Sequence, residues 1–146
     1  MVQQFNNLGY RATGVDVNKA AIRHSLEPQH CHLVETTAQL PYPDKYFDLV
    51  VSREVLEHIP AEAIDACIKE WDRVSNGKML HIIAVTERGK SATEDPTHIN
   101  VQSEDWWANK FQQFGYNTIK TPSPYFVSVF GPKGYLMAEK PQENKP

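Results

Sequence analysis

The 146-residue chain has only two cysteines, Cys31 and Cys67, so a disulfide framework is excluded as the source of its stability. It also lacks a basic excess. Fifteen Lys and Arg stand against 18 Asp and Glu, for a formal charge of -3, which removes the electrostatic footprint of a protein that grips nucleic-acid phosphates. Long apolar runs are missing as well: stretches such as Leu49-Val50-Val51 and Ile82-Ile83-Ala84-Val85 fall far short of the roughly 18 residues that a membrane span requires. The opening residues Met1 to Asn7 have neither the basic nor the apolar region of a secretion signal, and no internal repeat is visible. These absences predict a soluble, cytoplasmic protein in a reducing setting, with neither a nucleic-acid nor a membrane partner. Glycine is sparse too, and none of the seven glycines stands in a Gly-x-Gly pattern.

What is present is an alternation of short apolar runs with amphipathic segments, the pattern of an α/β domain with a parallel sheet. Val2, Phe5 and Leu8 recur at helical spacing and stop at Gly9, so the chain is expected to open with a short helix. Strands are expected over 12–15, 32–35, 47–52 and 79–85. Helices are expected over 19–26, with Asn18 as N-cap, over 61–74, with Ile64, Ile68 and Trp71 on one stripe, and over 106–114. Two last strands, near Thr118-Ile119 and over 134–139, are expected to pair antiparallel. Residues 1–140 are thus read as one domain, and the polar, proline-rich 141–146 as a disordered tail.

Asp16 ends the first of these strands beside a helix N-terminus, where open α/β sheets place their ligands. A carboxylate there can accept hydrogen bonds from a ribose diol, or can simply close the turn. The run from Leu40 to Ser52, LPYPDKYFDLVVS, followed by Val55-Leu56-Glu57-His58-Ile59-Pro60, is more specific. It resembles the class I S-adenosylmethionine-dependent methyltransferases, in the small-molecule branch where "LPF-x-D-x-x-FD-x-V" leads into "VLEHI". The likeness runs from about Gly9 to Gly115, and Asp95 to Asn100 ahead of Trp106-Trp107 is similar to the segment after the family's fifth strand.

The resemblance implies a Rossmann-like sheet with helices on both faces, S-adenosylmethionine as cofactor and a small-molecule methyl acceptor. Asp16 would hold the ribose, with Val17 beside the adenine. Thr36 and Thr37 stand where the family often has Asp-Ala against the adenine. Ser52, Arg53 and Glu54 would border the methionine part of the cofactor. His98 and His58 are the candidate general bases, since imidazole titrates near neutrality. Glu54 and Glu57 are read as solvated surface carboxylates. Trp106, Trp107, Tyr125 and Phe126 are candidates to wall an acceptor pocket. No metal is expected: the adjacent residues His30-Cys31-His32 cannot converge on one ion, and no second cluster completes four ligands.

The sequence also departs from the family at its start. The first strand and its glycine-rich loop have no counterpart, so the sheet is expected to miss its first β-strand and to keep the C-terminal antiparallel pair. That strand is central in the family, and its absence leaves backbone groups to be satisfied otherwise. Three solutions are open: direct pairing of the strand ending at Val15 with that near Leu49, a homodimer through the gap, or a natural start upstream of Met1. Two functions are therefore carried forward, a methyltransferase and a non-catalytic remnant that binds its own copy or a partner. A different nucleotide-binding α/β domain ranks behind both.

Overall fold

A computed structural model describes residues 1–86, 94–119 and 134–139. They divide into two compact units, Met1–Pro41 and Tyr42–Pro146. The tail 141–146, Tyr125 and Phe126 lie outside the described residues. Among the described residues no helix is long and apolar enough to cross a membrane.

In the first unit, α1 (Val2–Asn7) runs into Gly9, whose φ of 88° is a left-handed turn that glycine adopts without a Cβ clash. Parallel strands β1 (Gly14–Asp16) and β2 (Cys31–Leu33) pair in the register Gly14 to Cys31 and Asp16 to Leu33, joined through α2 (Lys19–Arg23) and a 3-10 turn over Pro28–His30. Asn18 caps α2, its side chain accepting the Ala20 N–H at 2.8 Å, as its position in the sequence predicts. Gly14 sits at a close approach: a Cβ there would stand 3.0 Å from Val2 Cγ2 and 3.4 Å from Cys31 Sγ, so those side chains would have to give way.

The second unit holds a four-stranded sheet of order β3-β4-β6-β5, formed by β3 (Val50–Arg53), β4 (Lys78–Ile83), β5 (Asn117–Ile119) and β6 (Gly134–Glu139). β3 and β4 are parallel; β6 runs antiparallel to both β4 and β5, which gives the expected antiparallel end of a mixed sheet. Between β3 and β4 the chain makes two 3-10 turns, Leu56–His58 and Ala61–Ala63, and then α3 (Ile64–Val74). Ile64, Cys67, Ile68, Trp71 and Val74 of α3 are all buried, the stripe that helical spacing predicts. With Leu56, Met79, Ile83, Trp107, Phe111 and Tyr116 they form the core, the last group contributed in part by α4 (Glu104–Gln112).

Several expected boundaries shift for identifiable reasons. The helix expected from Ala61 begins instead with a 3-10 turn, because Ala63 at its N-cap offers no side-chain acceptor. The strand expected to reach Val85 stops at Ile83, because the Ala84 N–H turns to the Glu57 Oε1 at 3.1 Å; Val85 then makes only an isolated bridge with Gln102. Phe47, expected within β3, makes a separate bridge with Ser75.

A buried histidine sits in the middle of β4. His81 is stacked between Trp71, at 5.3 Å between centroids, and Phe111, at 4.8 Å. Its Nε2 lies 3.5 Å from the Met79 sulfur, an acceptor only, so Nε2 carries the proton. Nδ1 then accepts from the Ser52 hydroxyl at 2.7 Å. Burial lowers its pKa from 6.5 to about 3, holding the ring neutral.

Candidate functional site

The residues singled out from the sequence fall in both units. In the first, Asp16 is half-buried at the carboxyl end of β1, and its Oδ1 accepts the Asn18 N–H at 2.7 Å. Its other oxygen has no hydrogen-bond partner among the described residues. Asp16 therefore closes a turn through one carboxylate oxygen, the structural use weighed from the sequence. Val17 is 57% exposed. The exposed Thr36 accepts the Ala38 N–H at 3.1 Å on its hydroxyl, which still has its own proton to donate, and Thr37 is half-buried.

In the second unit, Ser52 and Arg53 end β3 and Glu54 follows it. The Ser52 hydroxyl is committed to His81 and the residue is buried, so only its backbone is available to a ligand. Glu54 has a positive φ of 55°, a strained turn for a residue with a Cβ, and its N–H donates to the Ile82 carbonyl at 2.9 Å. Arg53 and Glu54 are half-buried. Trp107 is fully buried and belongs to the core, while Trp106 is half-buried against it, at 4.8 Å between ring centroids and 85° between planes.

The turn after β3 and the segment 95–100 come together through backbone links. The Asn100 N–H donates to the Glu57 carbonyl at 2.9 Å, and His58 Nδ1 lies 3.0 Å from the Thr97 carbonyl. Asp95 shapes this segment, its Oδ1 accepting both the Thr97 N–H at 2.8 Å and the Thr97 hydroxyl at 2.6 Å. Those two bonds, with a smaller contribution from the neighbouring histidines, hold the Asp95 carboxyl below the usual carboxylate range. His58 and His98 are thereby brought edge to face, their ring centroids 4.7 Å apart.

Glu57 corrects the reading of it as a solvated carboxylate: it is fully buried, with Oε1 on the Ala84 N–H and Oε2 without any hydrogen-bond partner. A buried polar atom in that state costs about 1–3 kcal/mol, so Glu57 is kept at a sizeable cost in stability. The available signal was its setting, a lone acidic residue between Leu56 and Ile59 in an apolar run.

Comparison with known proteins places this geometry. The profile of a family described as "Methyltransferase domain" matches residues 1–80. An uncharacterized protein of Haemophilus influenzae is 28% identical, the match covering 90% of this chain and 59% of that one; the chain thus spans about six-tenths of its relative. A SAM-dependent methyltransferase of Archaeoglobus fulgidus superposes with a TM-score of 0.71 at 17% identity, over 95% of this chain and 80% of that one. The 1,6-didemethyltoxoflavin-N1-methyltransferase of Burkholderia thailandensis, solved with S-adenosylhomocysteine, gives 0.63 at 15% identity, over 95% and 65%. At these identities the superpositions establish a shared fold, which is the Rossmann-like α/β architecture expected from the sequence.

Proposed function

The chain belongs to the methyltransferase-domain family, and from that membership we propose that it is an S-adenosylmethionine-dependent methyltransferase domain acting on a small-molecule acceptor. The observation that carries the reading is Asp16: a half-buried carboxylate at the carboxyl end of a parallel strand, one oxygen in its own turn and the other without a partner among the described residues. That donor-poor oxygen fits a vicinal diol, whose hydroxyls would supply charge-assisted hydrogen bonds. Val17 gives an apolar surface for the adenine, and Thr36 and Thr37 give hydroxyls in place of a carboxylate for its polar edge. By the family resemblance, Ser52, Arg53 and Glu54 are the second unit's residues assigned to the methionine part, and the Ser52 hydroxyl is already taken by His81.

S-adenosylmethionine supplies a methyl group on a sulfonium sulfur, transferred in line to an acceptor nucleophile. The protein's share is alignment and, for an acceptor that loses a proton, a place to put it. His98 and His58 are the groups assigned to that proton. Nothing in the residues names the acceptor.

Titration calorimetry with S-adenosylhomocysteine tests the assignment. Micromolar binding that Asp16→Ala abolishes is the expected result. No heat at millimolar ligand overturns it, and leaves a methyltransferase-like fold used for association.

A further inference from the structure

Glu57, His58 and His98 each present one ligand atom within 4.8 Å of the others. We propose that this trio is a binding site for a divalent first-row transition ion of the zinc class, with Glu57, His58 and His98 as its protein ligands. Two imidazoles and one carboxylate are a donor set suited to zinc, cobalt or iron rather than to magnesium or calcium, which favour oxygen alone.

Three features beyond proximity point to a cation. The Glu57 side chain is fully buried, and its Oε2 has no protein partner, so a positive charge at the trio would meet an otherwise unanswered acceptor. The tautomer of His58 is set by a group that can only accept: with Nδ1 3.0 Å from the Thr97 carbonyl, Nδ1 carries the proton and Nε2 the electron pair. Such a backbone carbonyl behind a ring nitrogen is the usual support of a metal-binding histidine. Asp95 Oδ2 stands 3.7 Å from His98 Nε2, beyond hydrogen-bond reach, and adds a carboxylate beside the trio.

Separations of up to 4.8 Å exceed the ~3.4 Å between donors that lie ~2.1 Å from a tetrahedral ion, so binding draws the ligands inward by up to about 1 Å. The 95–100 segment, which carries His98 on a turn rather than in a helix or strand, is the part placed to yield. Three protein ligands leave a fourth position for water or an acceptor oxygen.

The inference does not depend on methyl transfer, and its test uses no methyl donor. The full chain, stripped with a chelator, is titrated with Co2+ alone and followed by visible absorption, then challenged with Zn2+ and, separately, with millimolar Mg2+. The expected result is one saturable equivalent of Co2+, displaced by Zn2+ and untouched by Mg2+. His58→Ala and His98→Ala should each weaken it at least about a hundredfold while the far-UV spectrum stays unchanged. Replacing both His30 and His32 by Ala should leave it as it was. Glu57→Gln is informative if it folds, but the two histidine variants suffice without it. The proposal is overturned if Co2+ fails to bind at millimolar concentration, if binding survives His58→Ala and His98→Ala, or if it is lost with His30 and His32. Holding an ion and taking a proton use the same ring electron pair, so the titration also decides which of the two roles the histidines play.

Discussion

Acidification should destabilise the second unit through His81 well before its carboxylates are neutralised. The ring is fully buried, flanked by Trp71 and Phe111, and held neutral with a pKa of about 3 against an ordinary 6.5. Between those two values the unfolded chain takes up a proton that the folded chain refuses. Stability is therefore complete above pH 6.5 and falls as the pH drops, at up to about 1.4 kcal/mol per unit. From pH 7 to pH 5 the loss from this group comes to about 2 kcal/mol, a large part of a typical margin of 5–15 kcal/mol.

The assay is urea denaturation at pH 7, 6 and 5 of the parent and of the double variant Ser52→Ala, His81→Phe. The second substitution keeps an aromatic plane in the stack, and the first avoids leaving a buried hydroxyl without its partner. The parent should lose about 2 kcal/mol more than the variant over that interval. Parallel stability curves for the two proteins would refute the reasoning. So would an imidazole resonance of His81 that titrates near 6 in the folded protein.

Tyr116 offers a second, alkaline test: its hydroxyl donates to Asp72 Oδ1, and burial together with that carboxylate raises its pKa above the ordinary 10. The unfolded chain releases this proton first, so stability should fall as the pH rises past 10, and phenolate absorption from Tyr116 should appear only on unfolding. Tyr116→Phe should cost about 1.5–3 kcal/mol at neutral pH by urea midpoint; a loss below about 0.5 kcal/mol would count against the bond. Self-association is the remaining expectation. Among the described residues β1 pairs with β2 alone and β3 with β4 alone, so the chain as given should show dimers by light scattering at micromolar concentration, and a monomer throughout would refute it.

Where one short window sets the structure, the sequence was legible. Asn18 caps α2 because its own side chain reaches the Ala20 N–H, and the stripe Ile64, Ile68, Trp71 is buried because helical spacing leaves it no other face. The antiparallel pair at residues 117–119 and 134–139 was likewise expected. What local pattern could not give were bonds between distant segments. The end of β4 depends on a carboxylate in the turn after β3, and His81 is neutral because of Met79 within its own strand but also Ser52, Trp71 and Phe111 from elsewhere. The candidate cation ligands follow the same logic. Attention to the adjacent residues His30, Cys31 and His32 looks for ligands close in sequence, whereas His58 and His98 meet through a main-chain carbonyl that no residue type announces.

Glu57 shows why the fold and the site are hard to separate in this unit. One oxygen ends β4 by accepting the Ala84 N–H, its main-chain carbonyl anchors the 95–100 segment through Asn100, and its second oxygen has no partner. A residue kept only to terminate a strand would be better served by a neutral amide, which accepts the same bond with a smaller desolvation cost. A carboxylate is favoured over that amide when the second oxygen meets a cation, because the charge that is costly in an empty interior is then compensated. The buried carboxyl at position 57 is thus the feature that a purely structural account of the turn leaves unexplained, and the ion proposed to be held with His58 and His98 would explain it.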